Sequence, residues 1–275
     1  MLYQRPTDLV FGNIFLALPD FIENATVILK FEGLSITGSI KIKAALRMID
    51  GLESSGQLKP GGRVIESSSG NLGLALSMVC AERGYKFTCV TDPNFAVASE
   101  TMMTAYGARV IVVDVRDQNG GYLQARLSLI RKMMAEDHGL VWVNQYANMD
   151  NVMAHYSTTG QEILAEFPRP TIVFIGAGAT GTLGGVSTVM RERSPETRIV
   201  AIDSAGSITF GGAPGRRYIP GLGTSVAPSL RTSARFDELI MIPEIEAIDV
   251  CRGLAQRGLL VGGSTGTVLS ASDTK

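Results

Sequence analysis

Histidine is scarce in this chain. His138 and His155 are the only two among 275 residues, so a histidine-rich metal site or a serine–histidine–acid relay would need both unusually well placed. Cysteine is scarce too. Cys80, Cys89 and Cys251 form no C-x-x-C pair, and an odd, sparse set argues for a reducing compartment and against structural metal. An excess of one charge is also missing. The formal net charge of −1 offers neither a nucleic-acid-binding surface nor a groove for polyanions. No apolar run reaches spanning length, and the N-terminus lacks a basic patch followed by an apolar core and cleavage site, which points to the cytoplasm. What the chain has in quantity is glycine, 31 residues, on a background 45% hydrophobic and 19% charged. That is an α/β composition long enough for one large domain or two modest ones.

The densest glycine cluster organises the rest. Ile172 to Ile175 reads as a buried parallel strand. Glycines follow at 176, 178, 181, 184 and 185, with Thr180 and Thr182 among them, and an apolar helix pattern begins at Val186. Glycines let successive backbone N–H groups approach a ligand, and a helix N-terminus adds partial positive charge, so this stretch forms an anion cradle. It is not a dinucleotide fingerprint, because Gly181 follows Gly178 by only three residues. It also lacks the lysine of a nucleoside-triphosphate loop. A tight turn with no ligand is the plain alternative. A phosphorylated cofactor is the reading pursued.

Around the cradle the pattern alternates strand and helix. Strands are expected over 26–31, 63–65, 87–91, 109–113, 140–143, 172–175, 197–202, 237–242 and 259–261, and helices over 40–52, 72–80, 96–106, 123–136, 152–167 and 245–257. The chain ends inside the first turns of a last helix, from Val268, so a natural C-terminal segment is expected beyond it. Five polar loops follow expected strands, at 66–71, 144–148, 176–185, 203–207 and 262–267. If those strands share sheets, the loops converge on one cleft.

Nothing in those loops resembles paired catalytic carboxylates or a zinc set; the available nucleophile is a lysine. Lys41 and Lys43 both open a helix, where the dipole disfavours cations, and either one, or neither, fits a functional role on local pattern. A lysine that condenses with an aldehyde beside a phosphate cradle suggests pyridoxal 5′-phosphate.

Six motifs in order resemble the cysteine synthase group of fold-type-II pyridoxal-phosphate enzymes, over nearly the whole chain. They are Ser39-Ile-Lys41, Glu66-Ser-Ser-Ser-Gly-Asn-Leu72, Gln145, Gly178-Ala-Thr-Gly-Thr182, Gly221-Leu-Gly223 and Ser264. The resemblance implies a tryptophan synthase beta-like α/β fold with two open, twisted, parallel-rich sheets flanked by helices. It implies a smaller domain over 36–150 and a larger, cofactor-phosphate-binding one from 1–35 plus 151–275. Lys41, not Lys43, takes the covalent cofactor role. Asn71 takes the ring hydroxyl, Gly178, Ala179, Thr180, Gly181 and Thr182 the phosphate, and Ser264 the ring nitrogen. Ser67, Ser68, Ser69, Gly70, Gln145, Tyr146, Gly221 and Arg217 take the substrate, and no metal is implied.

Three departures bear on the subgroup. Ser68 and Leu72 stand where cysteine synthases usually carry threonine, and Ala179 stands where they carry a hydroxyl residue. The segments 206–210 and 217–224 resemble the siderophore and antibiotic branch. That branch makes precursors of 2,3-diaminopropionate, and its best-known member joins O-phospho-L-serine to L-glutamate, giving N-(2-amino-2-carboxyethyl)-L-glutamate and phosphate. Arg216 and Arg217 suit the extra negative charge of such substrates. The branch implies amino-acid substrates, a homodimer and a downstream NAD-dependent dehydrogenase. A cysteine synthase using O-acetylserine or O-phosphoserine, and a cofactor-fold protein that has lost its chemistry, are the competing expectations.

Overall fold

The computed structural model describes residues 2–118 and 120–272. Two parallel sheets carry the fold. The first has strand order β5-β4-β3-β6, with β3 Arg63–Ser67, β4 Lys86–Thr91, β5 Arg109–Val112 and β6 Leu140–Trp142. The second has order β7-β8-β9, with β7 Ile172–Gly176, β8 Arg198–Ser204 and β9 Glu238–Ile242. An antiparallel hairpin, β1 Phe15–Leu18 and β2 Val27–Lys30, precedes both. β3, β4 and β8 are buried along almost their whole length, as expected where helices cover both faces of a parallel sheet.

The helices are α1 Lys41–Ser54, α2 Asn71–Arg83, α3 Val97–Ala105, α4 Leu123–Glu136, α5 Asp150–Ser157, α6 Thr159–Glu166, α7 Gly181–Arg193, α8 Glu244–Gln256 and α9 Gly263–Ser272. α2 is apolar all round from Leu72 to Cys80 and is buried all round, against α1 and the first sheet. Ile42, Met48, Ile49, Val64, Leu76 and Met103 form that core, each contributing roughly 1.5–3 kcal/mol through its burial. A second core joins Leu183, Val186 and Met190 of α7 to Ile199 and Ala201 of β8. The hairpin's Leu18 packs with Leu254 and Leu269, on α8 and α9.

Three expectations are corrected. The single helix over 152–167 is two, α5 and α6, broken at Thr158 (φ −120°, ψ −82°). Ser157 and Thr158 turn their hydroxyls back onto the carbonyls of Met153 and Ala154, at 2.8 and 2.6 Å, and so compete with helix continuation. Leu259–Val261 is no strand: Leu259 and Val261 fill the cluster under the hairpin, and the loop at 262–267 therefore does not follow a strand. Finally, α7 starts at Gly181, not Val186. The glycines in its first turns serve packing, since a Cβ at Gly185 would lie 2.3 Å from the Val152 carbonyl oxygen of α5.

Candidate active site

Residues that follow the C-terminal ends of β3, β4, β6 and β7 line one cleft of about 2190 Å³, which extends along β2 and β7. A drug-sized ligand needs roughly 300–1,000 Å³, so the cleft has room for a cofactor and substrates together. Lys41, Ser68, Ser69, Gly70, Asn71, Gln145, Tyr146, Gly178, Ala179, Thr180, Gly181, Thr182, Arg217, Gly221 and Ser264 all line it. Ser67 does not. It is buried as the last residue of β3, where its carbonyl accepts a 2.6 Å hydrogen bond from Gln145 Nε2.

The cradle is the turn from β7 into α7. Thr180, its N-cap, is held in the left-handed region (φ +68°), uncommon for a non-glycine residue, and its hydroxyl donates to the Ala179 carbonyl at 2.7 Å. The first backbone N–H groups of α7, beginning at Gly181, have no partners within the helix, and Gly181 and Thr182 line the cleft. Two other glycines close the turn against its neighbours. A Cβ on Gly178 would lie 2.8 Å from the Gly221 carbonyl oxygen, and Gly221, at φ +120°, would drive a Cβ to 2.4 Å from Ser264 Oγ. Ser264, in the first turn of α9, is thereby brought beside the cradle.

The two lysines of α1 sit in different surroundings. Lys43 is buried, with Nζ 2.8 Å from Glu32 Oε1 and 2.6 Å from Glu162 Oε2. Lys30 faces the same two carboxylates at 3.1 and 2.8 Å. Lys41 faces the cleft, and no carboxylate among the described residues pairs with it. Burial pulls its pKa below the ordinary lysine value, raising the fraction of neutral, nucleophilic amine. Ion pairing therefore separates Lys43, held between two carboxylates, from Lys41, whose amine faces the cleft.

Across the cleft, Ser68 Oγ accepts from the amides of Gly70 and Gly73, at 3.2 and 2.9 Å. That shapes the turn and leaves Ser69 and Asn71 facing the opening. Glu66, fully buried beneath, accepts from the amides of Ser67 and Gln145 and from Trp142 Nε1, yet burial still pushes its pKa up to about 7. Burial likewise raises Tyr146 to about 12, so its phenol stays protonated.

The arginine pair resolves into two roles. Arg217 is half-buried in the cleft wall. Its Nη1 donates to the Leu222 carbonyl at 3.1 Å, and its Nε has no partner. Burial lowers its pKa, and the carboxylate of Asp203, itself raised by burial to about 6, acts in the opposite direction. Arg216 points outward, its guanidinium 4.8 Å from the ring centroid of exposed Tyr218.

One residue of this wall escaped the sequence reading. Arg126 of α4 is 5% exposed, lines the cleft, and has no hydrogen-bond partner on Nε or Nη1. Its nearest carboxylate oxygen, Asp92 Oδ2, is 3.5 Å away, too far for a good hydrogen bond. In sequence it stands beside Leu123, Leu127 and Ile130 on the buried face of α4, with no motif around it. Only burial beside an opening distinguishes it.

A lysine with no carboxylate partner among the described residues, a glycine-lined anion cradle at the carboxyl end of a parallel strand and a hydroxyl beside it define an α/β enzyme that carries a phosphorylated aldehyde cofactor. These residues fit pyridoxal phosphate. The model of the family described as pyridoxal-phosphate dependent enzyme matches residues 5–275, and the chain belongs to that family. Among curated proteins it is similar to N-(2-amino-2-carboxyethyl)-L-glutamate synthase of Ralstonia nicotianae, 39% identical over 90% of this chain and 74% of the relative. The protein of the same name from Cupriavidus metallidurans is 37% identical over 90% of this chain and 73% of its own. Among solved structures, O-ureido-L-serine synthase matches with a TM-score of 0.89 and 31% identity, covering 100% of this chain and 87% of that one.

Proposed function

We propose that this enzyme carries out β-replacement on an activated L-serine, joining O-phospho-L-serine to L-glutamate to give N-(2-amino-2-carboxyethyl)-L-glutamate and phosphate. Two curated relatives carry the name of that synthase. The observation that carries the reading is the cationic wall. Arg126 and Arg217 hold guanidinium nitrogens without hydrogen-bond partners in the cleft that Lys41 enters. A buried, unpartnered donor is costly, and an incoming carboxylate or phosphate supplies the missing acceptor. Sulfide, the nucleophile of a cysteine synthase, makes no use of such a wall.

In this reading Lys41 holds the cofactor, the 178–182 turn its phosphate, Asn71 its ring hydroxyl and Ser264 its ring nitrogen. When bound, pyridoxal phosphate supplies an electron sink that acidifies Cα of the amino acid attached to it. The protein's own residues do the rest. The Ser68–Asn71 turn and the second N–H of Gln145 Nε2 take the substrate carboxylate. Lys41 Nζ, which the incoming substrate amine would displace from the cofactor, would then remove the Cα proton and return it after replacement. Phosphate departs with the Cβ–O electron pair, the glutamate nitrogen forms the new Cβ–N bond, and that nitrogen loses a proton. Arg126 and Arg217 orient the two acids, and Tyr146 shapes the pocket for the second. The product releases 2,3-diaminopropionate only after oxidative cleavage, the task of an NAD-dependent dehydrogenase.

The test supplies the cofactor-loaded protein with O-phospho-L-serine and either L-glutamate or sulfide, following phosphate release and product mass. The condensed mass with glutamate is expected. Turnover with sulfide alone would return the protein to cysteine synthesis and leave the arginines without a role in selection.

A further inference from the structure

His155 is fully buried on α5, behind the cradle, and no step above uses it. Its ring bridges two hydroxyls: Nδ1 lies 3.0 Å from Thr159 Oγ1 and Nε2 lies 3.2 Å from Thr182 Oγ1. Both threonines line the cleft, and Thr182 is the second residue of α7. Burial, then the nearby cations Lys41 and Lys43, hold the imidazole pKa well below its ordinary value, so the ring is neutral. A neutral imidazole has one N–H donor and one acceptor nitrogen, so one threonine must donate to it and the other must accept.

That leaves two arrangements. With the proton on Nδ1, the ring donates to Thr159, and the Thr182 hydroxyl spends its proton on Nε2, away from the cleft. With the proton on Nε2, the ring donates to Thr182 Oγ1, Thr159 donates to Nδ1, and the Thr182 proton is released toward the cradle. A dianionic phosphate ester in the cradle accepts hydrogen bonds and offers none, so it selects the second arrangement. We infer that His155 is a positioning residue of the anion cradle, holding Nε2–H against Thr182 Oγ1 in the anion-loaded protein and so aiming the Thr182 hydroxyl at the bound phosphate group. The inference rests on the cradle binding phosphate, as proposed above.

The test is nuclear magnetic resonance on protein labelled uniformly with 15N, where His138→Gln leaves a single imidazole to observe beside the backbone amides. Cofactor-free protein is titrated with inorganic phosphate, and the measurement is repeated with pyridoxal phosphate bound. Phosphate is expected to shift the Gly181 and Thr182 amides, and the loaded ring is expected to show its proton on Nε2. In Thr182→Val, which removes the acceptor, the proton is expected to move to Nδ1, whereas Thr159→Val keeps it on Nε2. Amide shifts accompanied by an Nδ1–H ring or an imidazolium overturn the role of His155 alone. So does a Thr182→Val protein that still shows Nε2–H. Amides unmoved by either anion overturn the cradle reading and this inference with it.

Discussion

Replacing each of the two lysines of α1 with methionine should move stability in opposite directions. Lys43 sits between Glu32 and Glu162 at 2.8 and 2.6 Å, with its side chain 3% exposed. Breaking a buried ion pair by removing one partner costs about 3–5 kcal/mol. Lys30 still faces both carboxylates, which places Lys43→Met at the low end, about 3 kcal/mol. Lys41 has no such partner among the described residues and lies at the positive end of the α1 dipole. Removing a cation there relieves about 0.3–1 kcal/mol, so Lys41→Met should be slightly more stable than the parent. The gain carries a pH signature. The folded-state pKa of Lys41 is depressed, so its protonation favours the unfolded chain, and the gain should shrink as pH rises toward the ordinary lysine range. Urea unfolding of the cofactor-free proteins measures both changes. Borohydride reduction of the loaded proteins, read by intact mass, shows whether cofactor is attached. Attachment should vanish in Lys41→Met and persist in Lys43→Met wherever that variant is folded. A reducible adduct in Lys41→Met, or a Lys43→Met protein as stable as the parent, would refute the assignment of roles by ion pairing.

Arg126→Gln should lower kcat/KM with glutamate by about 100-fold, on the scale of losing charge-assisted hydrogen bonds, while leaving any turnover with sulfide nearly unchanged. Arg216→Ala should match the parent in steady-state kinetics and Arg217→Ala should not, because only Arg217 lines the cleft. Glu66 adds a pH dependence of known sign. Its folded pKa of about 7 lies above the unfolded 4.5, so the proton favours the folded state, and stability should fall by on the order of 3 kcal/mol as pH rises between those values. Denaturation midpoints of Glu66→Gln should lose most of that slope. Gly221→Ala places a Cβ 2.4 Å from Ser264 Oγ at a φ of +120°. It should cost roughly 1–3 kcal/mol in thermal denaturation and weaken cofactor binding, measured by equilibrium dialysis.

Much of this fold was legible because parallel strands and covering helices have different periods. The 123–136 helix was anticipated at both ends, and the strands at 172–176 and 238–242 within a residue or so. The misses share a cause: local pattern does not register what a neighbouring element demands. The glycines before Val186 read as a loop, yet they are helical because α5 packs against their backbone. The break at Thr158 lay in the competition of two hydroxyls for helix carbonyls, which composition alone does not reveal. At the site the same division holds. A glycine-rich turn and a lysine at a helix start can be read from one segment each. Arg126 depends on burial beside a cleft made by other segments, and His155 on two hydroxyls 4 and 27 residues away in sequence.

This division also explains how one catalytic apparatus can serve different nucleophiles. The cradle, Ser264 and the Gly221 turn come from β7, α7, α9 and the loop before them, and these parts meet at glycines, where a single Cβ would not fit without a shift. Such contacts leave little room for variation. The wall opposite is built from side chains: Ser68 on its turn, Tyr146 after β6 and Arg126 on α4. A side chain such as Tyr146 or Arg126 can change without moving the glycine contacts of the cradle. The sequence departures at Ser68 and Leu72 fall in this wall, and the buried cation that suits an acidic nucleophile lies there as well. Exchanging wall residues should therefore change which nucleophile is accepted while cofactor affinity stays constant, whereas changes in the glycine contacts should lose cofactor before they alter selectivity.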